Sequence, residues 1–503
     1  MPFLTSIVNW LSIKRVHQIE LFKLYPANIQ QDVFKQLITQ AADTEWGKKH
    51  KYNQIKTISD FQQAVPINTY EDLKPEINRV RAGEPNVLWP GETKWFAKSS
   101  GTTNDKSKFV PVSKEALEKC HFRGARDVMA LYTNSYPDTK IFKGKGLTLG
   151  GSHKIDNHQN QSYYGDLSAI LIENQPFWTE FIRTPSQQVA LIDKWEEKLE
   201  KIAKETIKEN VTSIAGVPSW NMVMLKYILE ITGKKNILEV WPNLELFMHG
   251  GVSFVPYREQ FKELMPSEEM KYLESYNASE GFFAIQDDPA SDDMLLMLDY
   301  GVFYEFIPMS EFGLPNSRVL TIDDVEKDVN YALVISTNAG LWRYLIGDTI
   351  KFTSLTPHKI KITGRTKHFL NAFGEEVIID NAEKAMYVAS EATNARVAEY
   401  TAAPVFMSCN KQGTHEWIIE FEKDPDNFEK FSELFDSALQ QVNSDYEAKR
   451  YKDITLGFPV MHKAPKDTFY KWLQQKDKLG GQNKVPRLSN DRKYVDELLQ
   501  ILN

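Results

Sequence analysis

The sequence predicts an α/β protein of two unequal lobes, and three observations carry that expectation. From about 95 to 350, short β-type runs alternate with helical stretches, the pattern of a sheet with helices packed on it. After KITGRT (361–366) the pattern changes into a stretch of roughly 135 residues with helix and strand signals of its own. The length of 503 residues also exceeds what one compact domain usually holds. The expected division is 1–363 and 364–503.

Taken in order, residues 1 to about 90 read as helices, with apolar positions such as Val33, Leu37 and Ile38 at helical spacing. A turn-rich segment follows around Pro66, Pro75, Gly83 and Pro85. Strand candidates in the larger lobe are KWFA before Lys98, GLTLGG (146–151), TSIAGVP (212–218), LELFMHGG (244–251), FFAIQ (282–286), MLLMLDYGVFYEFIP (294–308) and YALVIST (331–337). Between them lie a long charged helix, DKWEEKLEKIAKETIKEN (193–210), and a helix through Met222 to Ile231. The smaller lobe shows a helix near 380–391, a strand near EWIIEFE (416–422), a helix near 427–443 and a Gly- and Lys-rich tail, the signs of an α+β unit. No internal repeat or low-complexity tract interrupts the series.

Composition removes several functions. Hydrophobic residues at 42% and charged residues at 25% suit a soluble globular chain. With 60 Lys and Arg against 68 Asp and Glu, the net charge of −8 gives no electrostatic reason to expect nucleic acid or an anionic membrane as partner. Cys120 and Cys409 are too far apart to suggest a structural metal site, and the expected compartment is the reducing cytoplasm. At the N-terminus Lys14 and Arg15 follow the apolar stretch, the wrong order for a signal peptide, and no run of about 18 apolar residues spans a bilayer. Oligomeric state is not legible.

Four segments carry candidate chemistry. KSSGTTNDKSK (98–108) follows a strand and offers Ser99, Ser100, Gly101, Thr102 and Thr103 before two lysines, Lys106 and Lys108. Small residues let backbone N–H groups close on a phosphate, and hydroxyls add donors; an ordinary loop is the alternative. ESYNASEGFF (274–283) sets Ser279 and Glu280 just before a β-rich run, where a carboxylate can hold Mg²⁺ on a triphosphate or simply face solvent. AGLWRYLIGDTIKF (339–352) places Gly347 and Asp348 at the end of an apolar strand, where an Asp can accept ribose hydroxyls or close a turn. GRTKHFLNAFGEEV (364–377) brings Arg365 and Lys367 to the lobe boundary, as ligands or as solvated linker charges. The Walker ending GK[ST], GxSxG and HExxH are absent, and the glycines near 143–151 have the wrong spacing for a dinucleotide loop.

In this order, the segments resemble the adenylate-forming superfamily of acyl-CoA synthetases, luciferases and adenylation domains. More closely, the chain resembles the Gretchen Hagen auxin-responsive family of acyl-acid amido synthetases. The likeness adds VPINTYEDLKPEINRVRAGE (65–84), YNASEG, YEFIP (304–308), NAGLWRYLIGD (338–348) and QNKVPR (482–487) and covers nearly the whole chain. It implies a large N-terminal adenylate-forming lobe, a mobile C-terminal lid, and ATP and Mg²⁺ as cofactors. Residue by residue, it implies phosphate binding at Ser99, Ser100, Gly101, Thr102 and Thr103, with Ser279 beside them. Glu280 takes Mg²⁺, Asp348 the ribose and Arg365 the nucleotide, while Gly250 and Gly251 line the adenine and acyl site. Lys484 matches the family's C-terminal lysine, so Lys484, Glu280 and Arg365 form the implied catalytic set. Asp105 stands where many relatives have Gly, and Asn483 where many have Tyr.

The implied reaction joins a small carboxylic acid to ATP as acyl-AMP, releases pyrophosphate, and transfers the acyl group to an amine, an amino acid being expected. A coenzyme A ligase shares the first half-reaction and differs in acceptor. A non-catalytic nucleotide-binding relative would have no need of Glu280, Asp348, Arg365 and Lys484 together. Which acid and which acceptor are used is not written in these motifs.

Overall fold

A computed structural model describes residues 2–99, 108–151, 153–155, 162–251, 254, 257–366, 369–370, 377–405, 413–443, 446–447, 450, 456–476, 485–489 and 492–502. The chain forms two compact units, one of residues 1–346 and 351–361, the other of residues 347–350 and 362–503.

The chain builds an eleven-stranded mixed sheet, most of it from the larger unit, with 347–350 and 362–365 of two of its strands belonging to the smaller unit. From one edge the strands are Val302–Pro308, Asn330–Thr337, Tyr344–Leu355, His358–Arg365, Met294–Leu296 and Gly281–Ile285. The order continues with Lys271–Ala278, Leu246–Gly250, Val211–Gly216, Lys145–Thr148 and Arg183–Thr184. The last five pair in parallel, with the helices Trp195–Thr206 and Pro218–Thr232 as crossovers; the pairs Gly281–Ile285 makes, and the pair at the opposite edge, are antiparallel. Leu147, Ile214, Phe247, Leu225, Ile228 and Phe261 fill the core on the helix side. A second sheet runs Lys108–Val112, Trp95–Ser99, Tyr163–Gly165, His153–Ile155.

The strands follow the apolar runs of the sequence, with one division. MLLMLDYGVFYEFIP is two strands, because Gly301 takes φ +70° in the turn between them. Pro75 corrects the sequence reading in another way: it lies inside the helix Tyr70–Arg81, not in a turn. The Thr69 N–H donates to Asp72 Oδ2 at 2.8 Å as half of a capping box, and Leu73, Ile77 and Val80 bury one stripe. Cap and burial together outweigh the hydrogen bond that proline cannot make. Asp348 also differs from expectation. It lies within the twelve-residue strand Tyr344–Leu355, not at its end, after Gly347, whose φ of +92° bends the strand without ending it.

The motif residues Glu305 and Arg343 form a buried ion pair, Nε to Oε2 at 2.9 Å, with side chains 0% and 4% exposed. Arg343 has φ +41° and donates through Nη1 to the carbonyls of Gln62 and Val65, while Gln62 donates to the second oxygen of Glu305. YEFIP and LWRY are therefore tied to each other through the sheet and to the N-terminal helical segment.

In the smaller unit, helices Ile379–Thr393 and Phe428–Val442 pack on a sheet of Arg396–Val405, Thr414–Lys423 and Val460–Ala464. Trp417, Phe431, Phe435 and Leu439 are fully buried between them. Two further helices, Thr468–Gln475 and Lys493–Leu502, cover the other face through Phe469, Trp472, Val495 and Leu498. The sequence suggests only a tail there, because helices of eight and ten residues are shorter than the stretch over which a helical period is read, although each is amphipathic.

Candidate functional site

Ser279 and Glu280 are the two-residue tip of an antiparallel hairpin, closed by the pair Ala278 and Gly281. Ser279 is buried and Glu280 half-buried. The hairpin is held by a π-helical turn, Leu117–His121, which leads into the helix Phe122–Ser135. Register shifts between Phe282 and Ala284, and at that shift the Phe282 N–H donates to Cys120 Sγ at 3.1 Å. A Cβ on Gly124 would fall 2.4 Å from the Phe282 ring, so only glycine lets the helix come this close. Burial pushes the Cys120 thiol up to about 12, which makes it an inert packing group. Burial also pushes the His121 imidazole down to about 4, offset only in part by the Asn277 side chain beside it. His121 thus stays neutral next to the YNASEG segment. The sequence reading missed His121 and its π-turn; an isolated histidine in an amphipathic helix carries no signal for either.

Gly250 ends the parallel strand Leu246–Gly250, and Gly251 follows with φ +80°. A Cβ on Gly250 would lie 2.4 Å from the Ser275 carbonyl, so the glycine lets the neighbouring strand close. The carboxyl ends of parallel strands are where open α/β sheets receive ligands. His249, just before the pair, stacks on Phe254 at 4.0 Å, and burial with the nearby Arg258 charge pushes it down to about 3.

Ser99 is the last residue of the strand Trp95–Ser99 and pairs with Lys108 across an antiparallel connection. Ser100, Gly101, Thr102 and Thr103 lie outside the described residues, as do Lys367 and Lys484.

In the smaller unit Asp348 and Arg365 come together: Arg365 Nε donates to Asp348 Oδ1 at 2.7 Å. The aspartate side chain is 9% exposed and the arginine 43%. The Thr366 N–H donates to the Gly347 carbonyl at 2.8 Å, so the two residues are held by backbone as well as charge. A carboxylate can accept hydrogen bonds from a guanidinium and from hydroxyl groups alike.

No group of three or more His, Cys, Asp or Glu suited to a metal occurs among the described residues. Ser279 and Glu280 at the hairpin tip offer oxygen donors, which suit a hard ion held mainly by phosphate and water. Two surface hollows, of about 560 Å³ beside Asp43 and Lys48 and about 250 Å³ beside Gln30 and Phe303, include none of the predicted residues. Among the described residues no helix is long and apolar enough to cross a membrane.

Comparison with known proteins adds three matches along the chain. The GH3 family N-terminal domain matches residues 15–270, the GH3 family central domain 295–365 and the GH3 family C-terminal domain 380–493. The chain is similar to the indole-3-acetic acid-amido synthetase GH3.3 of Arabidopsis thaliana, at 23% identity over 91% of this chain and 89% of that protein. It is also similar to the 4-substituted benzoates-glutamate ligase GH3.12 of Arabidopsis thaliana, at 22% identity over 94% of each. Among solved structures, the GH3.15 acyl acid amido synthetase has the same fold, with a TM-score of 0.79 at 16% identity over 96% of this chain and 95% of that one. A 2-hydroxyisobutyryl-CoA ligase in the postadenylation state gives 0.61 at 12% identity, over 94% of this chain and 91% of that one.

Proposed function

The chain belongs to the GH3 family, and from that membership we propose that it is an ATP-dependent acyl-acid amido synthetase. One observation carries the reading: the three family domains match in order from residue 15 to 493, so each part of an adenylating enzyme is represented. The relatives named above act on indole-3-acetic acid and on 4-substituted benzoates with glutamate. For this chain the proposed substrates are a small carboxylic acid and an amino acid. The proposed compartment is the cytoplasm, which suits a chain with a buried free thiol at Cys120.

In the first half-reaction a carboxylate oxygen attacks the α-phosphorus of ATP. A bond to that phosphorus forms, its bond to pyrophosphate breaks, and acyl-AMP results. Two anions must approach, so screening of charge is the main demand on the site. Mg²⁺ would supply part of that screening, with Glu280 as its protein ligand. Ser99, Ser100, Gly101, Thr102, Thr103 and Ser279 are assigned to the phosphates, Gly250 and Gly251 to the adenine and acyl groups. Asp348 is assigned to the ribose, with Arg365 holding one of its oxygens while contacting the nucleotide. Lys484 is assigned to the phosphates in this half-reaction only. In the second half-reaction the amine nitrogen attacks the acyl carbon, AMP leaves and the nitrogen loses a proton. We assign 364–503 the role of a lid that moves between the two, with Lys367 at its hinge.

A pyrophosphate-release screen of an acid panel, with hydroxylamine as acceptor, tests the reading; hydroxamate and AMP are expected. Release of ADP and phosphate would overturn it. An acceptor panel of amino acids and coenzyme A then separates an amide from a thioester product.

A further inference from the structure

The segment 485–489, which begins one peptide bond after Lys484, is fastened to the edge of the three-stranded sheet of the smaller unit. Leu488 makes a parallel bridge with Ala402, the Ala402 N–H donates to the Arg487 carbonyl at 2.8 Å, and the Ser489 N–H donates to the Ala402 carbonyl at 3.0 Å. Thr401 Oγ1 donates to the Pro486 carbonyl at 2.6 Å, and Val485 is 6% exposed. The Arg487 side chain completes the fastening. Its Nη1 donates to Glu383 Oε1 at 2.6 Å, on the helix Ile379–Thr393, and its Nη2 to Glu399 Oε1 at 3.3 Å, on the strand Arg396–Val405. The guanidinium lies 4.9 Å from the centre of the Tyr400 ring, and the side chain is 11% exposed.

Resting on the reading of Lys484 as the adenylation lysine, we propose that Arg487 is a positioning residue: by holding the segment 485–489 on the sheet it fixes the anchor to which Lys484 is joined by one peptide bond. A lysine on a four-carbon stem acts as a point charge, and its effect on the α-phosphorus depends on where its backbone begins. Arginine suits this clamp because one planar group bridges carboxylates on two elements while lying on an aromatic face; lysine keeps the charge without the bridge. A purely structural Arg487 would affect both half-reactions alike, since both use the same folded unit. A positioning Arg487 affects only the one in which Lys484 acts.

The test uses full-length wild type, Arg487→Met, Arg487→Lys and Lys484→Ala, each assayed well below its unfolding transition with the acid selected by the screen above. Single-turnover pyrophosphate release reads adenylation, and amide formation from supplied acyl-adenylate reads transfer. Arg487→Met is expected to lose about 10²-fold in adenylation, the scale of a misplacement of about 1 Å, with transfer near wild type. Arg487→Lys should fall between. If Arg487→Met does not fold, Glu399→Gln, which weakens one arm of the clamp, should show a smaller loss in the same half-reaction. Equal loss in both half-reactions, or wild-type adenylation by folded Arg487→Met while Lys484→Ala is slow, overturns the role of Arg487 alone. Wild-type adenylation by Lys484→Ala overturns the lysine reading and this inference with it.

Discussion

Arg343→Met tests the buried pair at the centre of the larger unit. The substitution keeps a long apolar side chain but strips Glu305, which is 0% exposed, of its cation and leaves the Gln62 amide as its side-chain partner among the described residues. Removing one member of a buried ion pair costs about 3–5 kcal/mol, because an uncompensated charge stays in the interior. The unit contains about 360 residues, and at about 2.1 cal/mol/K per residue its unfolding entropy is about 0.75 kcal/mol/K. The melting temperature should therefore fall by about 4–7 °C, measured by calorimetry at fixed scan rate. The double variant Glu305→Leu/Arg343→Met removes both charges and should recover most of the loss. Two results refute the reasoning: a cost below about 1 kcal/mol for Arg343→Met, the range of an exposed pair, or a double variant as unstable as the sum of the single ones.

Glu280→Gln should depress turnover by about 10²- to 10³-fold, the loss of one electrostatic contact in the transition state, with partial relief at high Mg²⁺ in steady-state assays. Asp348→Ala should weaken ATP binding in calorimetry, and unchanged affinity would remove Asp348 from the ribose. Lys367→Pro, which locks one backbone dihedral, should form adenylate normally but transfer it slowly; equal loss of both halves would favour a fixed lid. His121 and His249 are held neutral by burial, down to about 4 and about 3, whereas an unfolded histidine titrates near 6.5. Below about pH 6.5 each of these two imidazoles takes up a proton in the unfolded chain but not in the folded one, and His50 and His358, also lowered by burial, act in the same direction, so stability should decline as pH falls from there toward about 4. Urea midpoints across that range check it, and His249→Phe should reduce the slope by about one proton.

Much of the fold is legible because burial writes itself into composition. Strands such as Asn330–Thr337 and Leu246–Gly250 coincide with apolar runs, since a strand covered on both faces leaves no room for alternation. Legibility fails where the cause is long-range. Pro75 reads as a turn because the capping box and buried stripe that hold its helix depend on packing. Asp348 reads as a strand end because glycine followed by aspartate is ordinary turn chemistry, and the continuation of the strand past Gly347 depends on its two neighbours in the sheet, Asn330–Thr337 and His358–Arg365. In the candidate site, Ser279 and Glu280 are visible as a short motif, and their hairpin is local in sequence. Cys120, His121 and Gly124, which back that hairpin, lie more than 150 residues earlier and have no pattern of their own. The Arg487 clamp is equally hidden, since Glu383 and Glu399 look like any surface acids until the helix and strand that carry them meet.

The path of the chain between the two compact units has a consequence for how members of such a family are recombined. The polypeptide passes from the larger unit into the smaller at Gly347, returns at Lys351, and leaves again at Ile362. The smaller unit is therefore not a detachable appendage. A fragment starting at Ile362 would carry Arg365 without Asp348, its partner at 2.7 Å, and would lack the four residues Gly347–Ile350 that belong to its own compact body. Exchange of C-terminal halves between relatives at a single junction after Lys361 would pair one parent's arginine with the other parent's aspartate. A graft that respects the architecture needs both segments from one parent, 347–350 as well as 362 onward, so these two stretches should be inherited as a pair.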